Sequence, residues 1–230
     1  RIYADHGFFT ADSQLTSELH EVFRALFEPR YQPPAFQKLL VAQYNMREAF
    51  EGLIEQEIQA AQAGKAAQIL IKLNNLEDKG MIDHLYRASQ AGVQIRLLIR
   101  GICCLRPGVA GLSENIQVVR IVDQFLEHAR AFVFHQGGKK RLYLASSDWM
   151  SRNLNRRIEV GFPILSEALK AEIFEILELQ WADSVKGVYL DANLHNIPRE
   201  VQSPAIRSQV EVYRRMEANQ LVARNFNSKQ

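Results

Sequence analysis

Two short apolar runs with a helical stripe between them constrain this chain most. Gln68–Leu73 and Gln94–Ile99 are rich in Ile and Leu, and Lys79–Ala91 sets Met81, Ile82, Leu85 and Tyr86 on one face before Gly92 stops it. Strand, helix and strand within about 30 residues make a βαβ unit, with parallel strands and a right-handed crossover. The rest of the chain extends that layout. Ile116–Val122 reads as a third strand, Arg130–His135 and Arg141–Ala145 as a hairpin about Gly137-Gly138, and Ile158–Phe162 as a further strand. The fold class that follows is α/β, a mixed sheet with helices on both faces. In such sheets ligands sit beyond the carboxyl ends of the strands.

Helices complete the layers. Ser13–Phe27, with Asp12 as N-cap, turns Leu15, Leu19, Val22, Phe23 and Leu26 to one side. Pro29, Pro33 and Pro34 bar its continuation and place a linker at about 28–37. Asn45 and Glu48 form a capping-box pattern ahead of the stripe Met46, Phe50, Leu53, Ile54 and Ile58, and Gly64 ends that helix. Glu167–Ala182, capped by Ser166, buries Leu169, Ile173, Ile176 and Leu177, and Ser203-Pro204 opens the last helix.

The bulk numbers remove some functions. The 230 residues are 47% hydrophobic and 23% charged, ordinary for a globular chain of one large domain or two small ones. A net charge of +2 argues against a bulk binder of nucleic acid or membrane and leaves room for a local basic pocket. No apolar run reaches the ~18 residues of a membrane span. Cys103 and Cys104 are sequence neighbours without zinc-ligand spacing, and read as two small buried side chains in a reducing compartment. The chain opens on Arg1, without an initiator Met or signal peptide, and reads as a piece of a longer protein.

The chemistry gathers at predicted strand ends. His128 stands two residues before Arg130, at the mouth of an apolar strand, and the polar loop Ser146–Asn153 follows the hairpin. An imidazole can attack phosphorus or protonate a leaving oxygen, and a guanidinium holds phosphate oxygens in a bidentate grip. Arg100 ends Gln94–Ile99 and precedes Gly101, where backbone can approach closely. With Tyr3 in the opening Arg1-Ile2-Tyr3, these residues point to phosphoryl transfer. Lys72, Asn74, Asn75 and Asp78 could bind phosphate or cap the next helix, capping being favoured for Asp78. Arg152, Arg156 and Arg157 read mainly as a solvated face. His6, His20, His84, His135 and His195 lack companions at ligand spacing. No Walker loop, dinucleotide fingerprint or kinase glycine loop is present.

The segments Arg1–Asp12, Lys72–Gly80, Leu98–Cys103, Ile121–His128 and Ser147–Asn153, in that order, resemble the C-terminal part of bacterial polyphosphate kinases of the first type. That resemblance covers nearly the whole chain. It implies reversible transfer of the terminal phosphate of ATP to polyphosphate through a phosphohistidine, on two phospholipase-D-like domains. It implies ATP contacts at Tyr3, Arg100 and His128, and His128 is further expected to be catalytic, as an acid or as a charged ligand of phosphate. The phosphorylated histidine of the family lies in a Lys-Thr-His-Ala-Lys motif upstream of the position matching Tyr3, and this chain contains no such motif. The nucleophile and the ligands of Mg2+ are therefore expected outside it. Residues 1–37 would be the tail of the preceding phospholipase-D-like domain and a linker, and 38–230 the second such domain. ATP or ADP, polyphosphate, the upstream domains and further copies of the chain are the implied partners, with no nucleic acid. The implied location is cytoplasmic, at most peripheral to the inner membrane. Two alternatives compete: a phospholipase-D-type phosphodiesterase, disfavoured by Arg130 and His135 where that chemistry wants Lys and Asp, and a non-catalytic assembly module.

Overall fold

The computed structural model describes residues 2–201 and 203–227, with 219–227 as backbone alone. Arg1, of the opening tripeptide, lies outside them. In chain order the elements are β1 (Tyr3–Ala4), α1 (Ser13–Phe27), β2 (Leu40–Val41), α2 (Met46–Gln62), β3 (Gln68–Leu73), α3 (Lys79–Gln90) and β4 (Gln94–Ile99). Then follow β5 (Ile116–Ile121), β6 (Leu126–Glu127), β7 (Arg130–Phe134), a 3-10 turn (Gln136–Gly138), β8 (Arg141–Ala145), α4 (Ser151–Asn155) and β9 (Val160–Pro163). The chain continues through α5 (Glu167–Trp181), β10 (Gly187–Leu190), β11 (Asn196–Pro198) and α6 (Ser208–Asn227).

Nine strands form one sheet in the order β11-β10-β5-β4-β3-β7-β8-β9-β2. Its centre is the expected parallel set: β3 pairs β4 from Gln68↔Gln94 to Leu73↔Ile99, and β4 pairs β5. From β7 onward the pairing is antiparallel. Strand side chains alternate between faces, and both faces are covered. Ile69, Ile71, Leu97, Ile99, Val118, Phe132 and Phe134 pack under α2 and α3 with Met46, Phe50, Met81 and Leu85. Leu70, Leu98, Val119, Ala131, Val133 and Leu144 face α5 through Ile173 and Leu177. The mixed sheet with helices on both faces, expected from the sequence, is the architecture of the chain.

Several local expectations are corrected. Asn45 does not cap α2; its side chain turns back, accepts from Val41 N–H at 2.7 Å and donates to the Leu39 carbonyl at 3.0 Å, so it fixes the entering loop instead. The last helix starts at Ser208, not at Ser203-Pro204. The Ile206 carbonyl accepts from Ser184 and Val185 N–H while Ile206 N–H donates to Ser184 Oγ, a pairing that holds this stretch extended. The expected inward faces of α1 and α5 are only partly covered: Leu15 and Val22 are buried, whereas Leu19, Phe23, Leu26 and Leu169 are exposed. Cys103 is buried, but Cys104 is exposed.

Candidate phosphate site at the strand ends

The register brings the singled-out residues to one sheet edge. Leu73 and Ile99 end β3 and β4 side by side, so Arg100 emerges beside Asn74. Antiparallel β7 pairs Ala131 with Lys72, and Arg130 lies opposite Ala145 of β8. The start of β7 thus meets the ends of β3, β4 and β8, as the placement of His128 with Arg100 requires. His128 itself sits just off the main sheet, after β6, which pairs with β1 in parallel through Tyr3↔Leu126 and Ala4↔Glu127. His128 N–H donates to the Ala4 carbonyl at 3.0 Å. The Tyr3 ring meets the imidazole edge-on, with centroids 4.9 Å apart at 89°. The sequence did not reveal this ribbon, because each strand is two residues long.

The centre of the site is an ion pair. Arg130 Nε donates to Asp148 Oδ1 at 3.1 Å and Nη2 to Oδ2 at 3.3 Å. The same carboxylate accepts from Asn74 N–H at 2.9 Å and from the amides of Asn74 and Asn75 at 3.4 and 3.3 Å. Asn75 Oδ1 in turn accepts from Ile102 N–H. This packing is why Gly101 carries no side chain: a Cβ there would lie 2.5 Å from Asn75 Oδ1 and 3.0 Å from the Asn74 carbonyl. Held in this way, Arg130 Nη1 donates to the His128 carbonyl at 2.9 Å and reaches His128 Nδ1 at 2.9 Å. Asp5 Oδ2 lies 3.4 Å from that same nitrogen. A guanidinium can only donate and a carboxylate can only accept, so the two neighbours suit opposite protonation states of Nδ1.

Arg100 stands beside this pair. Among the described residues no carboxylate oxygen lies within 4.0 Å of it, and its buried Nε has no hydrogen-bond partner. Burial, followed by the adjacent Arg130 cation, pulls its pKa below the ordinary guanidinium value. Two guanidiniums facing one carboxylate, one of them with an unpaired buried donor, form a site that an anion would complete. Lys72 contributes no free charge there. It is buried, donates to Glu127 Oε2 at 2.5 Å and Gln180 Oε1 at 3.0 Å, and its pKa is lowered by burial against the opposing pull of Glu127. Asp78 caps α3, accepting from Met81 N–H at 3.1 Å, and Arg47 grips it on the other side.

The remaining candidates separate. Arg152, Arg156 and Arg157 are exposed. His135 is far from the site, against the Ala66 carbonyl at the opposite sheet edge. His6 is the exception among the set-aside histidines: it lines a cavity of about 260 Å³ with Tyr3, Lys72 and Glu127, and burial and the Lys72 cation lower its pKa. The central role of Asp148 and the Lys72–Glu127 pair were not singled out in advance. An acid flanked by Ser147 and Trp149, and another flanked by Leu126 and His128, were the available signals. Among the described residues no group of three or more His, Cys, Asp or Glu side chains could hold a metal ion.

Comparison with known proteins gives the family of the chain. Residues 39–209 match the family described as polyphosphate kinase C-terminal domain 2. Polyphosphate kinase of Yersinia pestis is 47% identical over 93% of this chain and 31% of that protein. The Escherichia coli K12 polyphosphate kinase is 42% identical over the same shares of each. The crystal structure of polyphosphate kinase from Porphyromonas gingivalis superposes with a TM-score of 0.88 at 43% identity, over 93% of this chain and 33% of that one. The chain thus spans about a third of the length of the curated relatives it matches.

Proposed function

Because this chain belongs to the family of polyphosphate kinase C-terminal domains, we propose that it supplies the C-terminal half of a site transferring the terminal phosphate of ATP reversibly to polyphosphate. The observation that carries this reading is Arg100, a cation at a strand end that has no carboxylate partner among the described residues, beside an Arg130–His128 pair. Phosphoryl transfer asks mainly for placement and charge stabilisation, and two guanidiniums with an imidazole provide both. Arg100 and His128 bind phosphate oxygens. Tyr3 joins them through its phenol or by stacking on the base. His128 is the catalytic group of this half, as a proton donor to the departing oxygen or as a charged ligand of the transferred phosphate.

The phosphorylated histidine belongs to a preceding domain of the same protein, as do the ligands of Mg2+; the buried carboxylates of this site, Asp148 and Glu127, are held by Arg130, the asparagines, Gln180, Gln209 and Lys72. Residues 1–37 are the tail of that preceding domain. The family match beginning at 39 and the exposed Phe23, Leu26 and Phe27 of α1 support this boundary. ATP or ADP, polyphosphate and the preceding domains are the partners, and assembly with other copies fits the same reading. Among the described residues no helix is long and apolar enough to cross a membrane. A cytoplasmic location, peripheral to the inner membrane at most, is part of the same proposal.

Calorimetric titration with ATP and magnesium tests the phosphate assignment, on this chain and on one extended upstream through the histidine motif. Arg100→Ala is expected to weaken binding tenfold or more, equivalent to about 1.4 kcal/mol. Unchanged affinity in the extended protein would remove Arg100 from the site.

A further inference from the structure

The segment that carries His128 lies outside the nine-stranded sheet, and only one of its edges is paired with a strand. On that edge Leu126 N–H donates to the Ile2 carbonyl at 2.9 Å and His128 N–H to the Ala4 carbonyl at 3.0 Å. On the other edge the Phe125 peptide would be left without partners. The side chain of Gln209, on the first turn of α6, takes both of its groups: Phe125 N–H donates to Gln209 Oε1 at 3.0 Å, and Gln209 Nε2 donates to the Phe125 carbonyl at 3.0 Å. The same amide nitrogen donates to Glu127 Oε1 at 2.7 Å. One carboxamide thus reproduces the paired donor and acceptor of a neighbouring strand, and adds a bond to the residue before His128.

Gln209 is itself held firmly. Ser208 donates through N–H and Oγ to Asp183 Oδ2, both at 2.7 Å, while Asp183 Oδ1 accepts from Val185, Lys186 and Gly187 N–H. Arg207 clasps Asp123, two residues before Phe125, at 2.8 and 2.6 Å. The first turn of α6 is therefore bolted to the end of α5 and to the loop that leads into His128.

We propose that Gln209 is a positioning residue for His128, and that α6 acts through it to hold the imidazole against Arg130 at the phosphate site. This rests on the ATP-binding role given to His128 above. No other side chain of this length offers one acceptor and two donors in a plane. Methionine fills the space with neither, and an ionised glutamate keeps the acceptor and sets a second carboxylate against Glu127.

The test is a thermodynamic cycle in the full-length protein, read as ATP affinity in the presence of magnesium, with thermal unfolding as the control for folding. Gln209→Met is expected to weaken ATP binding about fivefold or more when His128 is present, and by less than about twofold in the His128→Ala background, because its effect passes through the imidazole. Gln209→Glu is expected to follow the methionine variant and serves if that one folds poorly. Equal weakening in both backgrounds, or no weakening in either, overturns the proposal. Failure of the underlying reading looks different: the unsubstituted protein would not bind ATP, or His128→Ala would bind it as tightly.

Discussion

At the scale of single residues, Asp148 organises the site more than any other group. It is buried and holds Arg130 on one side and the Asn74–Asn75 turn on the other. Replacing it with Ala strands a largely covered guanidinium, and a loss of about 3 kcal/mol, the lower end for a buried pair, is expected, read by urea unfolding. Asp148→Asn retains the shape and one acceptor, and a smaller loss is expected. No loss in Asp148→Asn would show that the charge is unimportant. The cysteines give a second residue-scale prediction. Burial pushes the Cys103 thiol up to about 11, so little thiolate exists at neutral pH, whereas Cys104 is exposed. Iodoacetamide at pH 8 should label Cys104 in the folded protein and reach Cys103 only after denaturation. Peptide mapping that finds Cys103 labelled at a similar rate would contradict the packing of that loop.

At the scale of elements, the docking of α6 depends on charge. The hydrogen bonds from Arg207 hold the Asp123 carboxylate below its ordinary value, so its pKa is lower in the folded than in the unfolded chain. That contribution is fully present above the unfolded value of about 3.9 and is lost as pH falls through the lower folded value. Acid should therefore destabilise the protein, and Asp123→Asn should flatten that part of the profile; an unaltered profile would show that the pair contributes nothing. The elements also show how far the sequence could be read. β3, β4, β8 and α1 were legible to the residue, because period and cap agree there: Asp12 and Asp78 do accept the hydrogen bonds that their positions promised. β1 and β6 were not, since two-residue strands carry no period. β10 and β11 likewise passed unseen, as short strands without a marked alternation. Asn45 and Ser203-Pro204 failed for another reason: Asn45 bonds back to Val41 and Leu39 in its own loop, and distant Ser184 pairs with Ile206 and holds the chain extended ahead of α6. At the site, Arg100, His128 and Tyr3 were all named from the sequence and lie at one edge. What could not be read was the bond network among them, since Asp148 and Gln209 act through partners distant in sequence.

At the scale of the whole molecule, the sheet divides the labour. One face buries α2 and α3, the other is covered by α5, and the strand ends between them present two guanidiniums and an imidazole. The chain covers about a third of its relatives and carries cations and an imidazole at one set of strand ends; under the proposed function the nucleophile and metal ligands come from preceding domains. The most direct test is the rate of phosphate transfer from ATP to polyphosphate by the full-length protein, unaltered and with His128→Ala. A fall of at least about 100-fold is expected, in line with the ordinary worth of a positioned acid or base, with the unfolding midpoint little changed. Transfer at the unaltered rate would take His128 out of the mechanism and contradict the account at its centre.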